Sequence, residues 1–254
     1  MKNDESGSVQ ATKTSLAVLS ALETLDGEAT LAELSEIVSA SKSTVYKHLS
    51  TLEGGGLVIV RGNTYYLGLR CLELGGIAQR YDGIYRVAKP EIESLAADTG
   101  ELANLMVEEN GYGFYMYTAS GDQAVTLDTD LGKRIHLHKT AVGKALLSSL
   151  SDERVEEIVD SHGLPAETEN TITHREELFE ELAKIRSEGV AHENQERVDG
   201  TGCVGIPVET DDRRQAAISI TAPIHRLTVS ENHSDIVDRV KQAANVIEVN
   251  LAHQ

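Results

Sequence analysis

The stretch SASKSTVYKHLSTLEGGGLVIVRGNTYYLG, residues 39–68, places a segment rich in hydroxyls and lysines directly before two short apolar segments. In its first half, Val45, Leu49 and Leu52 recur at offsets of four and three residues, which is the spacing of one buried helix face. Ser41 precedes this face and is a residue type that caps helix N termini. The first half therefore predicts a helix that begins after Ser41 and stops at the run of three glycines.

The second half of the stretch predicts a β-hairpin. Leu57–Arg61 and Thr64–Gly68 are short segments rich in the β-branched and aromatic residues that strands favour. Gly62-Asn63 stands between them and suits a two-residue hairpin turn. The stretch as a whole therefore reads as a helix followed by a hairpin.

Two further helices are predicted upstream. Leucines at helical spacing indicate a helix over Thr12–Leu25, and the pair Thr30 and Glu33 has the spacing of a capping box that opens a short second helix. Three helices followed by a hairpin form a winged helix-turn-helix. We predict this domain over residues 12–68, after a flexible tail at residues 1–11.

The predicted third helix offers a surface for DNA. If its apolar side faces the core, its polar side chains face outward, and the first turn of such a recognition helix enters the major groove. The candidate DNA-binding residues are Ser41, Lys42, Ser43, Thr44, Tyr46, Lys47, His48 and Arg61. The alternative is that the lysines merely solvate an ordinary helix, which the preceding turn and the following hairpin make less favourable. His48 has two open interpretations, a phosphate contact or a position flanking the core.

The charge distribution removes an objection to DNA binding. The chain has 23 Lys and Arg against 41 Asp and Glu, a net charge of -18. Residues 12–80 carry six basic and seven acidic side chains, a net of -1, whereas residues 81–254 carry 16 and 32, a net of -16. The acidity therefore belongs to the second part of the chain, where it is typical of an adaptation for solubility.

Composition also indicates a compartment. Cys71 and Cys203 are the only cysteines, which excludes a disulfide framework and favours a reducing compartment such as the cytoplasm. The opening MKNDESGSVQ lacks the apolar core of a signal peptide, and the apolar runs are too short for a membrane span.

The remainder predicts a helical linker over residues 69–90 and an α+β domain over residues 91–254. The linker has an apolar side that helps to pair subunits. The predicted strands are Leu102–Val107, Tyr112–Thr118, Ala124–Leu127, Gly202–Glu209 and Gln215–Ala222, the last two flanking the turn Thr210-Asp211-Asp212. The predicted helices are Pro90–Asp98, Thr140–Leu150, Ser151–Ser161, Arg175–Glu188 and a long helix from Asn232.

The run LAELSEIVSASKSTVYKHLSTLEGGGLVIVRGNTYYLGLRCLELG, residues 31–75, closely resembles the DNA-binding domain of IclR-type transcriptional regulators. LAADTGE (95–101), LHKTAVGKALLSSL (137–150) and the segment 202–227 resemble the GAF-like effector-binding domain of the same family. The resemblance implies a ligand-responsive regulator that binds operator DNA as a homodimer or homotetramer, with repression or activation left open. Tyr46-Lys47 stands where the family often has an aromatic residue or His followed by Arg, and lysine lacks the bidentate fork of arginine.

An effector pocket follows from chemistry and resemblance together. A helix that starts at Thr140 presents free backbone N–H groups at its positive end, which suits a small carboxylate. The resemblance implies a pocket for small organic or aromatic acids formed by Leu127, Ile135, Ala141, Val142, Glu193, Cys203, Ser219 and Thr221. Each has an ordinary alternative: Cys203 as a core residue, Ser219 and Thr221 as strand residues, and Glu193 as a solvated carboxylate.

Other functions are less well supported. His136 and His138, read as alternate strand positions, make only two metal ligands, and Lys144 in GKALL lacks the full glycine-rich loop of a nucleotide site. We therefore predict no metal and no cofactor. An enzyme acting on a small acid remains the alternative, although no catalytic motif is visible. A sequence-independent architectural protein is disfavoured by the acidic second domain.

Overall fold

The structure is a computed structural model that describes residues 7–81, 83–210, 214–228 and 230–253. The chain forms two compact units, Met1–Ala78 and Gln79–Gln254, whose border lies inside the predicted linker. The first helix, α1, spans Gln10–Thr24, so the predicted flexible tail 1–11 overlaps its first two residues. Residues 1–6 of that tail lie outside the described residues.

The first unit is the predicted winged helix-turn-helix. After α1, its helices α2 and α3 span Leu31–Ile37 and Lys42–Gly54, and its hairpin strands β2 and β3 span Val58–Arg61 and Thr64–Leu67. A three-residue strand that the sequence analysis missed, β1 (Glu28–Thr30), pairs antiparallel with β3, giving the order β1-β3-β2. The core of this unit contains Val18, Leu22, Leu34, Val45, Leu49, Leu52 and Val58.

Both predicted caps are present. The Glu33 N–H donates to the Thr30 hydroxyl at 3.4 Å, and the Glu33 carboxylate accepts from the Thr30 N–H at 2.8 Å, which completes the capping box. The Ser41 hydroxyl accepts from the Thr44 N–H at 3.1 Å and starts α3. These local bonds satisfy donors that a helix start otherwise leaves unpaired.

The prediction that a helix begins at Pro90 is wrong. The connector helix α4 ends at Gln79 (Arg70–Gln79), and the next helix, α5, already begins at Ile84 and continues through Pro90 to Thr99. Proline removes one hydrogen bond from a helix interior. Here Pro90 is exposed, while apolar side chains before and after it are buried in one core, so packing outweighs that loss. The predicted domain start at residue 91 therefore falls inside α5.

The second unit is built on a six-stranded antiparallel sheet of order β6-β5-β4-β9-β8-β7. Its strands are β4 Leu102–Glu109, β5 Tyr112–Ser120, β6 Arg134–His136, β7 Ala191–Asn194, β8 Thr201–Val208 and β9 Ala216–Pro223. Its remaining helices are α6 Ala141–Ser148, α7 Asp152–His162, α8 Arg175–Glu188, α9 Ile224–Leu227 and α10 Ser230–Ala252. One face of the sheet packs against α5 and α10, and the other packs against α6, α7 and α8.

Three features of this unit differ from the predictions. Ala124–Leu127 is not a strand: its backbone makes local bonds, such as that from the Ala124 N–H to the Gly121 carbonyl at 3.2 Å. The short strands β6 and β7 were missed. The turn at Thr210-Asp211-Asp212 includes two residues, Asp211 and Asp212, that lie outside the described residues. Within the described part of the chain, no helix is both long and apolar enough to span a membrane.

The start of α6 is held by close backbone packing. A Cβ at Gly205 of β8 would lie 2.6 Å from the Ala141 carbonyl oxygen, and a Cβ at Gly143 would lie 2.7 Å from the Leu137 Cα. Real Cβ atoms essentially never come so close to backbone atoms. Glycine at both positions therefore lets α6 lie directly on the sheet and on the turn before it.

We predict that Gly143→Ala lowers the free energy of unfolding by at least about 3 kcal/mol, because the new methyl group has no space and its neighbours are backbone. Denaturant unfolding followed by circular dichroism measures this loss. Ser149→Ala, at the exposed C-cap of the same helix, is the control and should change stability by less than about 0.5 kcal/mol. Equal stability of Gly143→Ala and the wild type would refute the close packing.

Candidate functional site

The exposed side of α3 carries most of the candidate DNA-binding residues. Lys42, Ser43, Tyr46 and Lys47 are exposed, Tyr46 with 56% of its surface accessible, while the opposite side of the helix is buried. The predicted periodicity is therefore confirmed. The hydroxyls of Ser41 and Thr44, 2.9 Å apart, pair with each other at the helix start.

The two remaining candidates lie in different settings. The His48 ring nitrogen Nδ1 is 2.9 Å from the Ser15 hydroxyl, and the ring is half-buried between α3 and α1. This contact supports the interpretation of His48 as a residue that flanks the core. Arg61 is exposed at the end of β2, with its guanidinium 5.7 Å from the centre of the Tyr66 ring. Arg61 thus stands beside the hairpin turn, as the sequence predicts.

In the second unit, most of the candidate effector residues surround one small cavity. The candidates that line this cavity are Leu127, Val142, Glu193, Cys203, Ser219 and Thr221. The cavity volume is about 10 Å³, which is close to the space that a single water molecule needs. A larger ligand therefore requires the walls to move.

The sheet register explains why these polar side chains meet. Cys203 lies opposite Thr221 on one side and opposite Glu193 on the other, and its sulfur is 3.3 Å from the Thr221 hydroxyl. Ser219 lies two residues before Thr221 and therefore on the same face, where it accepts a hydrogen bond from the Asn104 amide at 3.5 Å. This face is the one that packs against α6.

Helix α6 begins at the cavity. The Thr140 hydroxyl accepts from the Gly143 N–H at 3.1 Å, which confirms Thr140 as the N-cap. Val142 lines the cavity, whereas Ala141 does not, because the Ala141 backbone is pressed against Gly205 of β8. The candidate Ile135 also lies elsewhere, in a neighbouring cleft.

Sequence reasoning missed the cation of this site, Arg197. Its guanidinium donates to the Tyr115 hydroxyl at 2.8 Å and to the Asp128 carbonyl at 3.2 Å, and it forms an ion pair with the Asp128 carboxylate. Only 12% of the Arg197 side chain is exposed. No local pattern in NQERVDG distinguishes this arginine as a site residue. The only indication was chemical, because a pocket that binds a carboxylate is expected to contain a cation. Thr140, Val198 and Thr201 also line the cavity.

Burial controls the ionisation of the cavity residues. It raises the pKa of Glu193 to about 7, with the Glu196 carboxylate adding to the rise and the N–H groups of Glu196 and Arg197 opposing it. Burial likewise raises the pKa of Cys203 to about 11, so that residue is a neutral thiol. Near neutral pH the cavity therefore combines one cation, Arg197, with a carboxyl group that is partly protonated.

Two other sequence features have structural roles. Lys144 is buried and pairs with Glu196 at 2.7 Å and Glu181 at 3.4 Å, so it joins α6 to the segment after β7 and to α8. His136 ends β6, but His138 lies in a 3-10 turn, so the predicted alternate-strand placement is wrong. Among the residues that the structure describes, no group of three or more His, Cys, Asp or Glu is placed to hold a metal ion.

A winged helix-turn-helix joined to an α/β domain with a buried polar cavity defines a ligand-binding transcriptional regulator. The model of the IclR helix-turn-helix domain matches residues 14–60, and that of the bacterial transcriptional regulator IclR C-terminal domain matches residues 78–249. The chain therefore belongs to the IclR family of transcriptional regulators. These families and relatives are regulators and not enzymes, so the enzyme alternative is not supported.

Three similar proteins illustrate the match. A probable HTH-type transcriptional regulator ArcR of Halobacterium salinarum is 32% identical over 246 residues, covering 92% of this chain and 93% of the relative. The crystal structure of Thermotoga maritima IclR is 28% identical, with a TM-score of 0.74 over 94% of this chain and 98% of that one. An IclR homologue from Microbacterium hydrocarbonoxydans, complexed with 4-hydroxybenzoate, is 22% identical, with a TM-score of 0.81 over 96% and 100%, and shows the same fold.

The raised pKa of Glu193 predicts a pH-dependent stability. Burial favours the protonated Glu193 carboxyl in the folded state. Its contribution to the free energy of unfolding is therefore fully present below the ordinary pKa of 4.5 and is lost as the pH rises through about 7. Relative to the wild type, Glu193→Gln should therefore gain about 3 kcal/mol between these limits. Denaturant unfolding across the pH range measures the difference. Glu188→Gln, at an exposed position on α8, is the control, and the same pH profile in both variants would contradict the prediction.

Proposed function

We propose that the protein binds operator DNA through α3 and the hairpin, and that a small organic carboxylate bound in the second unit changes its affinity for DNA. The observation that carries this proposal is the cavity at the N terminus of α6, where Val142, Arg197 and the small polar side chains of the sheet converge. A helix N terminus, an arginine and hydroxyls are the groups that bind carboxylates in proteins.

The geometry of the first unit supports the DNA half of the proposal. The exposed start of α3 presents hydroxyls and lysines, and Arg61 stands on the hairpin of the same domain. Lysine contacts phosphate as a point charge, so Lys42 and Lys47 position the helix, while Ser43 and Tyr46 read base edges.

Pairing of two chains is part of the proposal. Helix α4 buries none of its residues within one chain, and its apolar side chains, with Leu69 before it, are strongly exposed: Leu69 by 83%, Leu72 by 66% and Ile77 by 57%. Exposed apolar surface of this kind favours contact with another protein surface. A homodimer, alone or as half of a tetramer, would present two recognition helices to the two half-sites of an operator.

The effector is proposed to be a mono-acid with one further polar group. Its carboxylate would replace the Asp128 carboxylate as the ion-pair partner of Arg197 and would accept a hydrogen bond from the Val142 N–H. Glu193, Ser219 and Thr221 would bind the second polar group. The 4-hydroxybenzoate bound by the Microbacterium hydrocarbonoxydans homologue has this chemistry. Because Glu193 is ionised in part near neutral pH, it disfavours a second carboxylate at the same place.

For DNA binding, we expect Lys47→Ala to weaken affinity for all sequences and to reduce the salt dependence by about one unit of slope, since one phosphate contact is lost. Ser43→Ala and Tyr46→Ala should instead change the sequence preference. Operators are first selected from random DNA with the wild-type protein, and affinities are then measured by fluorescence anisotropy at several salt concentrations.

Lys13→Ala is the control for the DNA experiment, because it removes an exposed lysine of the same unit from α1 and not from α3. If a folded variant with Lys42, Ser43 and Lys47 all changed to Ala binds the selected operator as well as the wild type does, α3 is not the recognition helix.

For effector binding, we expect Ser219→Val and Cys203→Leu to weaken the best ligand from a panel of small acids by about tenfold or more, since each removes a polar contact or fills the cavity. Calorimetry on the full-length protein measures the affinity. Ser94→Val, at an exposed position on α5, is the matched control for Ser219→Val. Unchanged binding in the cavity variants would place the pocket elsewhere, and binding that leaves operator affinity unchanged would refute the sensor proposal.

A further inference from the structure

A second and larger recess lies beside the small cavity. It has a volume of about 410 Å³ and is open to solvent, and it shares Arg197 and Val198 with the cavity. We call it the basic cleft. Its charged lining residues are Lys133, Arg134, Lys139 and Arg197, together with the carboxylates of Asp128 and Glu167.

The charge of the basic cleft is opposite to that of its surroundings. Four cations against two carboxylates give a formal charge of +2. By contrast, residues 81–254 as a whole carry 16 basic and 32 acidic side chains, a net of -16. A quarter of the basic residues in this part of the chain therefore face one recess. A solvated surface with no ligand gives no reason for such a concentration, because like charges repel.

The cations are held there by local structure. Arg134 opens β6, Lys133 precedes it, and Lys139 ends the 3-10 turn that follows β6. The Lys139 side chain is 9% exposed and its ammonium lies 2.6 Å from the Glu167 carboxylate. Burial of a lysine is costly, so its position beside the cleft is fixed by this ion pair.

The two carboxylates do not neutralise the four cations. Asp128 is shared, with its carboxylate 3.6 Å from the Lys133 ammonium and also paired with Arg197. Among the described residues, Arg134 has no ion pair and lies over the Tyr112 ring, 4.6 Å from its centre. The Asp128 and Glu167 side chains are 60% and 49% exposed, so both can turn toward solvent when an anion arrives.

The cations also affect the pKa of the neighbouring His136. The pKa of His136, which lines the basic cleft, is lowered first by burial and then by Lys139, His162 and Arg134. Only Glu167 opposes these effects among the causes of the shift. The positive potential therefore extends into the cleft from several elements.

We propose that the basic cleft is a binding site for a small dianion, such as a phosphate group or a dicarboxylate. Two negative charges match the formal charge of the cleft, and its volume is within the range of small-molecule sites. The site differs from the proposed effector cavity in both charge and access. The two meet at Arg197, so a dianion in the cleft competes with Asp128 for the guanidinium that also contacts Tyr115.

The test is equilibrium dialysis of full-length protein against labelled inorganic phosphate, at low chloride and slightly alkaline pH. The cleft variant is Lys133→Gln/Arg134→Gln/Lys139→Gln, and the matched control is Lys89→Gln/Lys184→Gln/Lys241→Gln, which removes the same charge from outside the cleft. We expect the wild type and the control to bind about one phosphate per chain, and the cleft variant to bind at least about tenfold more weakly. Malonate should displace phosphate, whereas acetate should compete poorly.

Several outcomes would overturn the proposal. One is a wild type that binds neither phosphate nor malonate, and another is equal weakening in the cleft variant and the control, which would reveal an effect of net charge alone. If the triple variant does not fold, Lys133→Gln alone serves, because its side chain is 46% exposed and supports no core. It should weaken phosphate binding about threefold, and unchanged binding would also refute the site. None of these results depends on the monocarboxylate effector.

Discussion

The architecture of the second unit depends on a contact between backbones: the first turn of α6 lies against β8 and against the turn before it, with space only for glycine at positions 205 and 143. Because the helix is so close to the sheet, its N terminus meets Cys203 and the polar side chains of β9 directly. The same closeness buries Lys144, whose ammonium then needs the carboxylates of Glu196 and Glu181. One steric constraint thus produces both the cavity and the ion pairs behind it.

Charge is distributed in this protein at two scales. Over the whole chain, acidity is concentrated after residue 80, which leaves the winged helix-turn-helix nearly neutral. Within the acidic part, the cations Arg197 and Lys144 are buried or nearly so. Arg197 lies in the segment between β7 and β8, and Lys144 pairs with Glu196 of the same segment. Burial makes these few interactions strong, while the many exposed carboxylates are screened by water and salt. The proposed ligand sites therefore depend on a small minority of the charges.

Several parts of the fold follow from residues that are close in sequence. The capping box of Thr30 and Glu33, the Ser41 cap, the spacing of Val45, Leu49 and Leu52, and the Thr140 cap all act within one or two helical turns, and each was predictable. The strands β1, β6 and β7 were not, because each has only three or four residues and pairs with a strand that comes later or earlier in the chain. The start of α5 was predicted wrongly at Pro90 for the same reason, because packing against residues distant in sequence keeps the helix continuous across Pro90.

For the site, the sequence by itself determined which residue types were present at the helix start and on alternate strand positions, and the structure brings Val142, Cys203, Ser219 and Thr221 together around one cavity. Only the tertiary structure decided that Ala141 and Ile135 lie outside it and that Arg197 belongs to it. Arg197 is separated by 82 residues from Tyr115 and by 69 from Asp128, so its role arises from chain folding and leaves no local pattern. The pKa of Glu193 is likewise a property of burial, which periodicity indicates but does not measure.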